Sequence, residues 1–473
     1  MAIKKYVASA DTTITNAFRS NLTIRGTGSN AGLADTMEIF SIFAQASSSS
    51  IELSRLLVQF PVNDIISDRN GELLPSAGSV NFVLNLYNAE HGLTLPRNFT
   101  LAILPVSRSW EEGYGVDLDE YSDLTYDGDG ANWVNASSGT QWTNQGGDYL
   151  DSPVYDQYFN KGIENLEIDI TPLVEDWISS TVSNYGVGVA LTSSLEGNST
   201  RSFFTKRFFT RSSEFFFKRP TIEARWDDST FDDRGNFYIS SSLLPSAQNL
   251  HNLYLYNYFA GQFRNLPVDV NDLQVKLYTS ASGGDEITSV LPSYPIPASL
   301  TSTGIYKINF SLDTTASIVY DIWSSGSTVF YTGSFVPLSY SAFNHKPLLE
   351  KYVVSMPDLE TSYSNDETVR FRVHTRNKNW CPNVLTVASD HVELNIIKNM
   401  YYKISRIKDS LDVVPYGTGS TNHTLLSYDI SGSYFDFDIN LLEKDYAYGI
   451  KYIYKTDTGK FKELGNVFKF RVE

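Results

Sequence analysis

Tyr306-Lys307-Ile308-Asn309-Phe310-Ser311-Leu312 alternates apolar and polar residues without a break. A period of two sends Tyr306, Ile308, Phe310 and Leu312 to one side of a pleated strand, where they can meet a second sheet. The same alternation recurs at Phe82, Leu84 and Leu86, set against Asn81, Val83 and Asn85, and at Tyr446, Tyr448, Ile450, Tyr452 and Tyr454. Amphipathic helical spacing is nearly missing, so the chain reads as all-β. Turn signals separate the strands: Asn70-Gly71, Ser325-Gly326-Ser327 between Ile318–Trp323 and Val329–Phe335, and Asp457-Thr458-Gly459 between Tyr454 and Phe461. Each suits a hairpin. One short helix is expected at Thr171-Pro172-Leu173-Val174-Glu175-Asp176-Trp177-Ile178, with Thr171 as its cap and Pro172 in its first turn, plugging one end of a sandwich.

The chain has 473 residues, enough for about three ordinary domains. Composition shifts near Trp226–Phe231 and Asn344–Glu350 divide it into residues 1–227, 228–347 and 348–473. Leu253-Tyr254-Leu255-Tyr256 followed by Asn265-Leu266-Pro267 loosely matches Val369-Arg370-Phe371-Arg372 followed by Asn379-Trp380-Cys381-Pro382, which points to two related immunoglobulin-like sandwiches. With 37 Lys and Arg against 54 Asp and Glu, the formal charge of −17 opposes binding to nucleic acid or an anionic membrane. A single cysteine, Cys381, allows no internal disulfide, so packing must supply the stability. The first residues lack the apolar run of a signal peptide, and the expectation is synthesis in a cytoplasm without membrane insertion.

Ser109-Trp110-Glu111-Glu112-Gly113, Ala131-Asn132-Trp133, Thr140-Gln141-Trp142 and Gly146-Gly147-Asp148-Tyr149 stand in a fixed order. They lie between Asn21-Leu22-Thr23-Ile24-Arg25 with Ser54-Arg55-Leu56-Leu57-Val58-Gln59-Phe60 upstream, and Ile168–Trp177, Tyr185-Gly186-Val187-Gly188-Val189 and Lys218-Arg219-Pro220-Thr221-Ile222 downstream. This order resembles the DNRLRE-type β-sandwich modules related to carbohydrate-binding modules, and it implies a jelly-roll-like sandwich over residues 1–227. The chain departs from the secreted members in carrying a long acidic insertion after Trp110. Leu442-Glu443-Lys444-Asp445-Tyr446-Ala447-Tyr448 is similar to the tyrosine-corner strand of fibronectin-type sandwiches, with Tyr448 as the corner residue. In overall style, including Val414-Pro415-Tyr416-Gly417-Thr418-Gly419 and Phe468-Lys469-Phe470-Arg471-Val472, the chain resembles virion structural proteins of tailed bacteriophages of marine bacteria. That resemblance implies a non-enzymatic component attached to capsid, collar or tail, made in the host cytoplasm, docking to other virion proteins and to copies of itself.

Eleven acids and no Lys or Arg fall between Ser109 and Asn160. Asp127 and Asp129, separated by Gly128, have the oxygen chemistry of a calcium loop but lack the further ligands of an EF-hand; a solvated acidic loop is the other reading. Trp110, Trp133, Trp142, Tyr114 and Tyr121 place aromatic faces beside carboxylates, as a host surface glycan would require. The alternative is a satellite core or subunit contact. Arg201–Arg219 mixes six basic residues with seven Phe, which fits a buried strand and a docking face better than a nucleic-acid groove. If exposed, its basic side would mate with the acidic loop of a neighbouring copy. The six histidines show no metal spacing and no nucleophile motif is present, so no catalytic residue is assigned.

Overall fold

A computed structural model describes residues 2–92, 96–116, 130–197, 202–339, 351–380, 394–456 and 458–473. These form two compact units, one of residues 2–227 with 419–423 and the other of 228–418 with 424–473.

The first unit is a two-sheet sandwich. Its smaller sheet runs Ile3–Val7, Thr221–Arg225, Asn81–Leu86, Leu166–Asp169. The larger runs Ser202–Phe209, Thr36–Phe43, Ile51–Gln59, Val187–Leu191, Phe99–Pro105, Tyr155–Phe159, with Ala10–Thr15 also paired to Ile51–Gln59. Ladders in both sheets are antiparallel. Phe82, Leu84 and Leu86 meet Leu56, Val58, Leu101 and Ile103 in one core, as the alternation requires. The intervening Val83 and Asn85 are buried as well, because the outer face of the small sheet is covered and holds Glu223 between Lys5 and Arg225.

Helix Thr171–Ile178 packs Leu173, Val174 and Trp177 into that core. Its cap differs from the expected one. Thr171 is already helical, and its Oγ1 accepts the Phe82 N–H at 2.8 Å, while Asp169 receives the Thr171 N–H at 2.9 Å and so satisfies a helix-start donor. Asn70-Gly71 is likewise no hairpin: it ends a second helix, Val62–Asn70, which docks on the first through Arg69 and Glu175 at 2.5 and 2.8 Å. Only Ile65 of that helix is buried, so its sequence carries little amphipathic signal.

The second unit holds five further sheets, one of them the small hairpin Tyr258–Phe259 with Gln262–Phe263. His251–Tyr256, Ile305–Leu312, Ser299–Ser302 and Val290–Leu291 face Ile296–Pro297, Gln274–Tyr278, Val319–Ser325 and Thr328–Phe335 across a core of Tyr306, Ile308, Phe310, Leu312, Val275, Leu277 and Trp323. The Ser325-Gly326-Ser327 turn joins the last two strands as expected, with Gly326 at φ +56°. Beyond residue 350, one sheet runs Tyr352–Ser355, Thr368–Asn377, Gly432–Asp438, Ser427–Asp429, and the other Ser362–Tyr363, Phe468–Val472, Ala447–Lys455, Met400–Arg406, Asp412–Val414. Tyr448 is fully buried; its hydroxyl donates to the Glu443 carbonyl at 2.8 Å and accepts the Glu443 N–H at 2.9 Å. The tyrosine corner is therefore formed. The molecule is an all-β protein built of β-sandwiches.

Candidate interaction surfaces

Strand Ile51–Gln59 contains Leu56-Leu57-Val58, apolar on both faces. Leu56 and Val58 enter the sandwich core, so Leu57 must be covered from outside. The cover is a satellite core of Trp110, Trp133 and Trp142 with Ile14, Val106, Ala131 and Ala136. The indoles are 8, 5 and 5% exposed. Trp110 Nε1 donates to the Tyr185 carbonyl and Trp142 Nε1 to the Asn132 carbonyl, both at 2.8 Å. Their faces are packed against the sheet's outer surface rather than over a sandwich end, which is the second of the two roles the sequence left open. Tyr114 stands apart at 69% exposed. Tyr121, Asp127 and Asp129 lie outside the described residues.

Arg55 pins this layer. It grips Glu196 through Nε at 3.0 Å and Nη2 at 2.7 Å, donates Nη1–H to the Gly146 carbonyl at 2.9 Å, and lies 5.3 Å from the Trp133 ring and 5.7 Å from Tyr149. Gly146, at φ +89°, is required because a Cβ there would sit 2.8 Å from the Trp133 ring. Burial, only partly offset by Arg55, pushes the Tyr149 phenol up to about 12.

Asn30 clamps the base of the acidic insertion. Its Nδ2 donates to the carbonyls of Glu112 and Ala131 at 2.7 and 2.8 Å, and its Oδ1 accepts the N–H of Gly32 and Gly115 at 3.1 and 2.9 Å. Glu112 takes both ends of the Arg211 guanidinium and accepts the Asp11 N–H at 2.8 Å. Asp11 is fully buried beside this pair; burial and the Glu112 charge outweigh Arg211 and raise its carboxyl to about 7. The basic and acidic segments thus meet, but inside one chain. The expected pairing between copies is corrected for Arg211, whose charge is consumed locally.

The rest of the Phe-rich segment is treated the same way. Lys218 lies 4.9 and 5.2 Å from the Phe209 and Phe215 rings, Arg219 is 5.8 Å from Phe216, and Arg207 pairs with Glu38 at 2.9 Å. Phe208 is in the core and Thr205 is buried on the opposite face of the strand, whereas Phe203 and, beyond the strand, Phe215 are about half exposed.

A surface that sequence reasoning passed over lies on Thr328–Phe335. This strand is the last in its sheet, and among the described residues none pairs with its outer side. The Ser334 carbonyl accepts from Arg234 at 3.2 Å, which leaves Thr328–Thr332 as the open stretch. Val329 is 56% and Tyr331 39% exposed. Beside them, Ile322, Tyr278, Val329 and Thr332 line a shallow concavity of about 480 Å³ on the outward face. No charged residue occurs between Asp321 and Lys346, and that neutrality in so acidic a chain was the available sequence signal.

No family model matches the sequence, and no curated protein matches it. Solved structures that align with it include a chimeric titin Z1Z2 tandem, at 12% identity over 47% of this chain and 91% of that one, with TM-score 0.16. The adhesin InvE of Yersinia pseudotuberculosis aligns at 9% identity over 51% of this chain and 56% of its own, TM-score 0.15. A Ca²⁺-stabilized adhesin with which an Antarctic bacterium binds ice aligns at 9% identity over 98% and 100%, TM-score 0.15. Superpositions this loose carry no argument; the fold rests on the sheets themselves.

Proposed function

We propose that this chain is a non-enzymatic structural component of a tailed-phage particle that works by docking, first of all to a second copy of itself. The observation that supports self-docking is the bare edge Thr328–Thr332. Natural edge strands are blunted with Lys, Pro or bulges facing the open side, and this one has neither charge nor proline. Its one irregularity is a bulge at Phe330, between Tyr331 opposite Trp323 and Val329 opposite Ser324. Two molecules of net charge −17 repel wherever their acids face each other, so an isologous contact is best tolerated at a neutral strip. Antiparallel pairing of the strip with its twofold mate satisfies the free N–H and C=O groups and sets each Val329 opposite the Tyr331 of the other copy.

The test of the particle role is immunogold labelling of intact virions with antibody to the full chain, together with host-cell binding. Labelled particles support the proposal. Unlabelled particles combined with binding of the purified chain to host surface glycan, lost in Tyr114→Ala, would replace it with a glycan-adhesion role.

A further inference from the structure

Lys206 is 1% exposed, yet among the described residues no carboxylate lies within ion-pairing distance of its ammonium. Burying an unpaired charge is costly, so such a lysine calls for an account. Its Nζ sits 2.5 Å from Asn88 Oδ1, 2.9 Å from the Gly162 carbonyl and 2.7 Å from the Glu164 carbonyl, between the rings of Phe159 and Phe208, each 5.1 Å away. Asn88 is held facing it by backbone register. Asn88 bridges Phe208 in antiparallel fashion, Ala89 N–H donates to the Arg207 carbonyl at 3.1 Å, and Phe209 N–H donates to the Tyr87 carbonyl at 3.0 Å. Lys206 lies two residues before Phe208 and so shares its face, diagonal to Asn88. The Asn88 N–H is fixed by Asn165 Oδ1 at 2.9 Å. Burial pulls the Lys206 ammonium down to about 8, partly offset by the Glu164 charge, so the neutral amine is accessible near neutral pH.

We propose that Lys206 and Asn88 form an intramolecular isopeptide cross-link. The Lys206 ammonium gives one proton to solvent, and the free amine attacks Asn88 Cγ. The Nζ–Cγ bond forms and the Cγ–Nδ2 bond breaks. Nδ2 leaves with its own two hydrogens and the second proton of Nζ as ammonia, which takes up a proton from solvent. Amine and amide become a secondary amide and ammonium, with no oxidant or outside reagent. The product staples the edge strand Ser202–Phe209 of the large sheet to the segment that follows strand Asn81–Leu86 of the small one, closing the sandwich covalently in a chain with one cysteine.

Intact-mass spectrometry of the purified full chain tests this. The expected mass is that of the sequence less one ammonia, and trypsin should release a branched peptide joining Asn70–Arg97 to Ser202–Arg207. Lys206→Met and Asn88→Ala should restore the full sequence mass. A folded wild-type chain with full sequence mass and separate peptides overturns the cross-link, whatever the variants do.

Discussion

Trp133→Ala separates a packed indole from a sugar platform. Trp133 is 5% exposed, and a buried indole removes roughly 200 Å² from water, worth about 5 kcal/mol at about 25 cal/mol per Å². Alanine keeps the Cβ and the site relaxes in part, so the expected loss is about 3–5 kcal/mol. Arg55 also loses the ring 5.3 Å from its guanidinium, although Glu196 and the Gly146 carbonyl remain to hold it. Calorimetry of the full chain should show one transition, that of the unit containing residues 2–227, falling by several degrees while the other stays in place. Tyr114→Ala, at a site 69% exposed, is the control and should stay within about 0.5 kcal/mol of wild type. A Trp133→Ala chain with unchanged melting would refute the satellite core and return the indole to the surface.

Tyr448→Phe strands the Glu443 N–H and carbonyl inside the corner and should cost about 1–3 kcal/mol in chemical denaturation; Tyr446→Phe, which leaves the corner bonds intact, should cost far less. For Glu223, burial alone would raise the carboxyl, but Lys5 and Arg225 outweigh it and hold it at about 2, below its ordinary 4.5. Its contribution is therefore complete above pH 4.5 and lost as pH falls toward 2, on the order of 3 kcal/mol in all; Glu223→Gln should flatten that limb of the stability curve, and an unchanged slope would contradict the pairing. Asp11 works the other way. With its folded value raised to about 7 from 3.8, it costs stability increasingly as pH rises through that window, so Asp11→Asn should raise the melting temperature at pH 8 and lose the advantage at pH 4.

The strands were legible because period-two patterns such as Tyr306 to Leu312 encode burial residue by residue. Tyr448 was legible because its corner is local: its partner Glu443 lies five positions away. Helix Val62–Asn70 was hidden, since with Ile65 alone buried it shows no stripe, and Asn70-Gly71 reads equally as hairpin turn or helix end. The doubly covered strand was visible in Leu56-Leu57-Val58, yet nothing local says that three tryptophans 53 to 85 residues onward supply the second cover. Ion pairs were the least legible. Arg211 finds Glu112 across 99 positions and Arg55 finds Glu196 across 141, distances over which composition suggests a charge partner without naming it.

Self-docking through a neutral edge is decided by sedimentation velocity of the full chain over a range of concentrations, beside the Val329→Lys, Thr332→Lys double variant. Both residues are exposed, so the variant should fold like wild type while placing charge at the twofold contact. The wild-type chain should sediment as a dimer that dissociates on dilution, and the variant as a monomer throughout. A wild-type monomer at every concentration, or a dimer that ignores both lysines, would contradict the assignment of this edge.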